Sequence, residues 1–354
     1  MHIGILTGGG DCPGLNAVIR AVTLALINEA GATVTGIDRG FYGLLTHSVR
    51  PLDARSVRGL LAQGGTVLGT HNSCNPFKYF ARDGADCSGE VMDYVKELGL
   101  DALVAIGGDG TMTGANNFCQ LGLPVVGVPK TIDNDLVLTD RTFGFDSAVA
   151  VVAEAFDRLE TTARSHGRVM ILETMGRYAG WIALEGGLAG GADVILLPEI
   201  PYDIDAITRH CLEREREEGY TLICVAEGAK PLGGDMTVQA TVINSPDPLR
   251  LGGVCHRLQQ QLQPRLNSEV RTTQLGHVQR GGSPTAFDRI LATRFGYHAA
   301  QLVERGEFGR MVALQGDQTT SVPIADVAGR FRPVPLEHEL LATARGIGIE
   351  LGNG

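Results

Sequence analysis

The chain has 354 residues, 44% of them hydrophobic and 20% charged, which is typical of a folded protein and long enough for two domains. Its formal net charge of −10, with 26 arginines against 4 lysines, disfavours sequence-independent binding to nucleic acid, because such binding neutralises phosphates. No apolar run reaches the roughly 18 residues of a membrane span and no basic leader opens the sequence, so we expect a cytoplasmic protein without a membrane or nucleic-acid partner.

Short apolar runs alternate with helical periods along the chain. Residues 3–6 predict a strand, and a glycine-rich turn then leads into a helix from about Leu15 to Glu29. Further strands are predicted at residues 33–37, 102–106, 125–128, 168–172, 194–197, 221–225, 272–275 and 311–314. Apolar strands between amphipathic helices indicate an α/β fold around mostly parallel sheets. Ligands of such sheets bind beyond the carboxyl ends of the strands, so the residues that follow strands are candidates for function.

Glycines follow the first predicted strand in residues 8–16, GGGDCPGLN. Because glycine lacks a Cβ, such a turn lets a phosphate approach the backbone N–H groups at the start of a helix. A plain tight turn explains three glycines equally well. The dinucleotide-binding fingerprint is broken because Pro13 stands where its third glycine belongs, and without any Gly-Lys dipeptide the P-loop motif is absent.

A second glycine turn, GGDGT, occupies residues 107–111 after the strand at 102–106. A phosphate chain can lie along such a backbone, and Asp109 can reach a Mg²⁺ that bridges that chain. On its own the motif is also compatible with a turn that ends in a capping aspartate.

Two carboxylates lie two residues apart in the third motif, PKTIDND, at residues 129–135. One of Asp133 and Asp135 can accept a proton from a hydroxyl nucleophile, and the other can hold a metal directly or through water. Lys130 adds a positive charge suited to a phosphate. The alternative is a surface Asx-turn.

Arginines and other polar groups mark the ends of predicted elements in the second half of the chain. Arginine suits bidentate recognition of a sugar phosphate. The positions are Arg168, Arg177, Glu227, Arg271, His277 and Arg280. Each alone is commonly a solvated surface charge, and a single histidine is commonly structural.

Seven motifs occur in order along the chain: ILTGGGDCPGLNAVIR, GGDGT, PKTIDND, MGRYAGW, VAEGAK, LGHVQRGGSP and AFDRILATRFG. In these motifs the chain resembles the phosphofructokinase superfamily over nearly its whole length. The resemblance implies two doubly wound, Rossmann-like α/β domains with mostly parallel sheets and the active site between them. We expect a phosphate-donor domain of residues 1–145 plus about 280–330, and a sugar-phosphate domain of residues 146–279 plus about 331–354.

The resemblance also implies an activity, a cofactor and an assembly. The expected reaction is that of a glycolytic 6-phosphofructokinase, which transfers a phosphoryl group from ATP to the 1-hydroxyl of fructose 6-phosphate with Mg²⁺ as cofactor. The expected assembly is a homotetramer or homodimer with shared active sites. Pyrophosphate as donor, another sugar phosphate as acceptor, and a binding protein without turnover remain open, although intact Asp109, Asp133 and Asp135 argue against the last.

Roles transfer by resemblance to the matching residues. Asp133 corresponds to the base that takes the hydroxyl proton, and Asp109 and Asp135 to the carboxylates around Mg²⁺. The catalytic group also includes Lys130, Thr131 and Arg177. The donor-binding positions are Gly9, Gly10, Asn72, Gly108, Gly110 and Thr111. The substrate-binding positions are Thr131, Asp133, Met175, Gly176, Arg177, Glu227, His277 and Arg280, with Arg168 and Arg271 contributed across a subunit interface.

The chain departs from the commonest family pattern at two places. Gly110 is typical of ATP-dependent members, where a side chain would collide with the α-phosphate, whereas Lys130 is typical of pyrophosphate-dependent members. The loop at residues 69–76, GTHNSCNP, is one residue longer than usual and lacks the arginine that bridges donor and acceptor phosphates. The expected consequence of the second departure is slower turnover, unless Lys130 or a different arginine compensates.

Overall fold

The computed structural model describes residues 1–241 and 249–354. Its strands are β1 (His2–Thr7), β2 (Thr33–Ile37), β3 (Val49–Leu52), β4 (Ala102–Gly107), β5 (Val125–Pro129), β6 (Val169–Thr174), β7 (Val194–Leu196), β8 (Thr221–Ala226), β9 (Val238–Thr241), β10 (Leu249–Leu251), β11 (Val270–Gln274), β12 (Arg310–Gln315) and β13 (Gln318–Pro323). Its α-helices are α1 (Leu15–Ala30), α2 (Phe41–Leu45), α3 (Ser88–Glu97), α4 (Asp109–Gln120), α5 (Phe145–His166), α6 (Trp181–Ala189), α7 (Ile204–Glu217), α8 (Val254–Leu262), α9 (Ala286–Glu304) and α10 (Glu339–Gly346).

The chain divides into two compact units and passes from one to the other several times. Unit 1 consists of Met1–Ile132, Leu136–Ser147 and Arg280–Phe331, and unit 2 of Asp133–Asp135, Ala148–Gln279 and Arg332–Gly354. The short segment Asp133–Asp135, which the predicted boundaries put in the first domain, groups with unit 2.

Unit 1 is built on a seven-stranded sheet in the order β13-β12-β5-β4-β1-β2-β3. Its five central strands are parallel, and β3 and β13 pair antiparallel at the two edges. The strand order reverses at β1, which lies between β4 and β2, so the loops after β1 and β4 lie at the position where doubly wound sheets bind ligands. Helix α1 packs against α9, while α2, α3 and α4 contribute Phe41, Tyr94 and Phe118 to an apolar core with the sheet.

Unit 2 contains a four-stranded parallel sheet in the order β11-β6-β8-β7. Its core joins apolar residues of these strands to α7 and α8, among them Val169, Ile207 and Leu258. Strands β9 and β10 form a separate antiparallel pair. In the part of the chain that the structure describes, no helix has both the length and the apolar character needed to cross a bilayer.

Candidate active site

In unit 1, the two glycine-rich loops meet at the strand-order reversal. The first follows β1 and the second follows β4, and the Gly8 N–H donates to the carbonyl of Ile106 over 2.9 Å. Gly108 precedes the first turn of α4, so the N–H groups of that turn open towards this loop. A helix N-terminus beside a glycine loop favours an anionic ligand.

The side chain of Thr111 packs where a Cβ of Gly8 or Gly107 would lie, so both positions require glycine. Its side chain is buried, and a Cβ built on Gly8 would lie 2.5 Å from its Oγ1. A Cβ built on Gly107 would lie 2.2 Å from the same atom. Gly110 differs, because a Cβ there would meet nothing within 4 Å. The fold itself therefore permits a side chain at position 110.

Two cationic side chains contact the first glycine loop. Lys130 is only 3% exposed, and its Nζ donates to the carbonyl of Gly10. A Cβ built on Gly9 would lie 3.5 Å from that Nζ. Arg280, predicted to hold the sugar phosphate, lies in unit 1 and donates from Nη1 to the carbonyl of Asp11 over 3.1 Å. Both cations can add charge to a phosphate-binding loop.

Asp109 is half-buried at the start of α4 and already has a structural contact. Its Oδ1 accepts a hydrogen bond from the Gly329 N–H over 2.8 Å and lies 3.4 Å from the Thr113 hydroxyl. Among the residues that the structure describes, no group of three His, Cys, Asp or Glu side chains forms a ready-made metal site. Mg²⁺ commonly takes one or two carboxylates and completes its shell with water and substrate phosphates, so a site of this kind fits Asp109.

The unusual loop at residues 69–76 is tied to the glycine loop. The Thr7 hydroxyl donates to the Gly69 carbonyl over 2.8 Å, and the Thr70 hydroxyl donates to the Gly9 carbonyl over 2.5 Å. The loop lacks the family arginine, but these two hydrogen bonds hold its first two residues in place. Asn72, predicted to contact the donor, is exposed on this loop.

His71 lies in an aromatic stack within that loop. Its ring is 4.8 Å from Tyr42 and 5.2 Å from Phe80, centroid to centroid. Burial and then the positive charge of Arg39 lower the pKa of His71, which favours the neutral imidazole. The Arg39 side chain also lies against Gly69, since a Cβ built there would be 3.4 Å from its Cγ. Arg39 is thus an arginine beside the loop that lacks one.

The turn Asp133–Asp135 follows β5 and Thr131, whose carbonyl accepts from the Thr142 hydroxyl over 2.7 Å. Asn134 has the left-handed backbone conformation, with φ at +51°. This conformation is uncommon outside glycine, although asparagine tolerates it better than most residues. Asp133 and Asp135 are half-buried on either side of it.

In unit 2, predicted sugar-phosphate residues follow the carboxyl ends of adjacent strands. Met175, Gly176 and Arg177 follow β6, and Glu227 follows β8. The Gly228 N–H donates to the Gly176 carbonyl over 3.1 Å. The structure therefore brings the segments of Arg177 and Glu227 together.

The third strand of this group, β11, leads into a short 3₁₀ helix at Gly276–Arg280 that carries the exposed His277. Gln279 of this helix is fully buried, and its Oε1 accepts from the Met175 N–H over 3.3 Å. Gln279 thus joins the His277 segment to the Met175 segment. The sequence motif contains this glutamine, but nothing in its local pattern distinguishes it from a solvated residue.

Arg168 and Arg271 lie at the opposite end of the same sheet, near the amino ends of its strands. Arg168 directly precedes β6, and Arg271 is the second residue of the neighbouring β11. Both pair with Glu269, which lies 2.6 Å from the Arg168 Nε. The six residues of β6 span about 20 Å, so this pair is well separated from Met175 and Arg177 of the same chain.

The fold and the loops define a two-unit α/β protein with glycine-rich loops at a sheet's strand-order reversal, where a phosphate could bind. Residues 2–303 match the family model described as phosphofructokinase, and the chain belongs to this family. The predicted family and α/β fold class are therefore confirmed. An ATP-dependent 6-phosphofructokinase 2 of Clostridium perfringens is 50% identical over 359 residues, which cover 99% of this chain and 98% of that protein. A pyrophosphate–fructose 6-phosphate 1-phosphotransferase of Streptomyces coelicolor is 51% identical over 335 residues, covering 94% of this chain and 96% of that protein.

Solved structures agree with this fold. Phosphofructokinase from Saccharomyces cerevisiae matches with a TM-score of 0.78 and 31% identity, covering 92% of this chain but 45% of the yeast chain. The present chain thus spans less than half the length of that relative. A pyrophosphate-dependent phosphofructokinase from Marinobacter aquaeolei matches with a TM-score of 0.81 over 99% of this chain and 88% of that chain. At 22% identity, that second match supports the fold alone.

Proposed function

We propose that the chain is an ATP-dependent 6-phosphofructokinase, which forms fructose 1,6-bisphosphate and ADP from fructose 6-phosphate and ATP. The observation that carries the proposal is the pair of glycine loops above buried Lys130, because backbone N–H groups, a helix N-terminus and a buried cation together suit a polyphosphate. The relative from Clostridium perfringens, named an ATP-dependent 6-phosphofructokinase 2, supports the same reaction.

In the proposed reaction, the carboxylate of Asp133 accepts the proton of the sugar's 1-hydroxyl. The freed oxygen attacks the γ-phosphorus of ATP, the new P–O bond forms, and the bond from that phosphorus to the β,γ-bridging oxygen breaks, leaving ADP. Lys130 and the N–H groups of the glycine loops stabilise negative charge on the phosphates during this transfer. Asp109 and Asp135 would hold Mg²⁺, which when bound supplies positive charge to the donor phosphates.

Sugar-phosphate recognition is assigned to the groups at the carboxyl ends of the unit 2 strands. Arg177 and His277 supply positive charge or donors, and Glu227 supplies an acceptor for sugar hydroxyls. We assign Arg168 and Arg271 to a neighbouring subunit's sugar phosphate. Their position at the far edge of the sheet supports this, since they are too distant to join Arg177 of their own chain.

Pyrophosphate is the second candidate donor, and buried Lys130 favours it. A compact ammonium can bind inorganic phosphate directly and replace contacts that a nucleotide would make. The Streptomyces coelicolor relative named as a pyrophosphate enzyme is also 51% identical. We favour ATP because Gly110 leaves open space at the start of α4, where a nucleotide's α-phosphate would lie.

A coupled assay that reports fructose 1,6-bisphosphate tests the reaction. With ATP and Mg²⁺, fructose 6-phosphate should be the best acceptor in a panel of sugar phosphates, and EDTA should abolish turnover. Asp133→Asn should lower kcat by about 10²- to 10⁴-fold while the KM for fructose 6-phosphate changes little, because general-base catalysis contributes in that range. A different preferred acceptor, activity in EDTA, or an Asp133→Asn rate within a few-fold of wild type would contradict the proposal.

A further inference from the structure

Arg332, near the C-terminus, donates hydrogen bonds to the backbone of the turn Asp133–Asp135. Arg332 donates from Nη2 to the Asn134 carbonyl over 3.0 Å and from Nε to the same oxygen over 3.3 Å. Its backbone N–H donates to the Asp135 carbonyl over 2.7 Å. Arg332 therefore contacts two successive peptide groups of the turn that carries both proposed catalytic carboxylates.

Arg332 is itself fixed by Trp181, the first residue of α6. Its guanidinium lies 4.7 Å above the indole ring, and the Trp181 Nε1–H donates to the Arg332 carbonyl over 3.0 Å. The ring of His338 meets the indole edge-on at 5.0 Å. Trp181 is only 3% exposed, so its ring is a rigid surface for the guanidinium.

The residues after Arg332 are joined to the sugar-phosphate segment by a buried carboxylate. The Glu199 Oε1 accepts from the Val334 N–H over 2.7 Å and from the Gly180 N–H over 3.0 Å. Burial raises the pKa of Glu199. Gly180 lies three residues after Arg177. Residues 332–334 thus contact the turn Asp133–Asp135 at one end, and at the other end Glu199 links them to the segment that carries Arg177.

We propose that Arg332 is a positioning residue for phosphoryl transfer, which sets the orientation of Asp133 relative to the bound sugar phosphate. This inference rests on the proposed function. Arg332 acts through backbone carbonyls, so its loss should displace the base and leave the groups that bind the sugar in place. A small displacement of a reacting group lowers the chemical rate steeply.

The chemistry of arginine explains why this residue type is required. The guanidinium donates two N–H groups in one plane to the Asn134 carbonyl while its face lies on the indole of Trp181. A lysine ammonium can donate to the carbonyl, but it has no planar fork and stacks poorly. Arg332→Lys should therefore restore the variant's stability better than its rate.

Steady-state kinetics of Arg332→Ala and Arg332→Lys test the proposal, with Arg330→Ala as the matched control. Arg330 is exposed two residues away, and its Nη1 contacts the Asp326 carbonyl over 3.4 Å. We expect kcat of Arg332→Ala to fall about 10- to 100-fold. The KM for fructose 6-phosphate should stay within about threefold, because a change in kcat alone is the signature of a transition-state effect. Arg330→Ala should behave as wild type.

Two readouts that need no turnover accompany the kinetics. Trp181 is the only tryptophan of the sequence, so its emission reports directly on the stack with Arg332. Hydrogen exchange of the peptide that covers Asp133–Asp135 should accelerate in Arg332→Ala and stay unchanged in Arg330→Ala. These readouts also separate the two proposals. An inactive wild-type enzyme refutes the proposed function, and hydrogen exchange then still shows whether Arg332 holds the turn Asp133–Asp135.

Three results would overturn the positioning role. One is an altered Trp181 emission in Arg332→Ala with kcat within about threefold of wild type, because the contact would then be dispensable. A second is unchanged hydrogen exchange at the turn Asp133–Asp135, because Arg332 would then not hold the turn. A parallel loss of folded protein and of activity, both fully restored by Arg332→Lys, would likewise assign Arg332 a role in stability alone.

Discussion

Glycines occur in the two glycine-rich loops of unit 1 for different reasons. Gly8 and Gly107 make room for the buried side chain of Thr111, so their absence of a Cβ is a demand of packing. Gly110 has open space around it, so nothing in the fold requires a glycine there. We therefore expect the open space at position 110 to accommodate part of the phosphate donor. The sequence motif GGDGT does not distinguish these cases, because the packing of Thr111 against Gly107 and the distant Gly8 depends on the folded backbone.

Gly110→Asp tests the donor assignment at this residue. The new carboxylate lies in the first turn of α4, where negative charge is favourable, so thermal stability should be retained. Repulsion between that carboxylate and the α-phosphate should lower kcat/KM for ATP by about 100-fold or more, since like-charge contacts cost several kcal/mol. Gly110→Ala is the uncharged control, and its kcat/KM for ATP should fall less than that of Gly110→Asp. A Gly110→Asp enzyme that uses ATP as well as wild type would show that no phosphate lies there.

The start of α5 depends on a carboxylate from α9. Asp288 is fully buried, and its Oδ2 accepts from the Ser147 N–H over 2.8 Å and from the Ser147 hydroxyl over 2.6 Å. Burial raises the pKa of Asp288 from 3.8 to about 6. Because the folded pKa exceeds the unfolded value, the folded state holds the proton more tightly between these pH values. Stability from this group is present in acid and is lost as pH rises to about 6.

Asp288→Asn should remove this pH dependence. The asparagine carbonyl can still accept from Ser147, but it never acquires a buried charge. The free energy of unfolding of the variant relative to wild type should rise by up to about 3 kcal/mol between about pH 3.5 and pH 7, which corresponds to roughly two pKa units. Denaturant unfolding of both proteins across this range measures the difference. A difference that stays constant with pH would contradict the assignment.

The strands that could be predicted all pair parallel with at least one neighbouring strand. The continuous apolar runs at residues 102–106 and 221–225 correspond to β4 and β8, which are buried throughout. Strands β3 and β13, which pair only antiparallel, were not predicted, because they contain exposed or polar residues such as Pro51 and Thr319. The apolar pattern detects continuous buried runs, and these two strands have none.

The candidate site was predictable where its chemistry lies in contiguous motifs. The glycine loops, Lys130 and the two carboxylates of the third motif follow strands directly, so their place at a sheet edge could be inferred. Arg332 and Gln279 could not be assigned, because their contacts depend on residues about 100 or more positions away in the chain. Such contacts leave no local pattern in one sequence.

The position of Arg168 and Arg271 is relevant to how copies of this chain associate. Arg168 and Arg271 lie together on Glu269 at the amino edge of the unit 2 sheet, whereas Arg177 and His277 follow its carboxyl edge. The length of β6 separates the two sets too far for one chain to bring both to one sugar phosphate, so we expect a neighbouring copy to supply the arginine pair. The shared-site assembly remains a prediction that rests on this separation and on the family resemblance.

Mixing two inactive variants tests shared sites. Asp133→Asn lacks the base and Arg168→Ala lacks the arginine given to the neighbour, so a hybrid pair contains one intact site and one doubly defective site. Random association at equal amounts should restore about a quarter of wild-type activity. Activity no greater than that of the separate variants, or a fully active monomer by light scattering, would contradict shared sites.

Phosphoryl transfer from ATP to fructose 6-phosphate is the reaction that we propose for this chain. The most direct test is the wild-type kcat/KM for ATP and for pyrophosphate, each measured at saturating fructose 6-phosphate with Mg²⁺ present. The open space at Gly110 predicts the higher value with ATP. A higher value with pyrophosphate would indicate that buried Lys130, and not Gly110, determines the donor, and would contradict the assignment of ATP as donor.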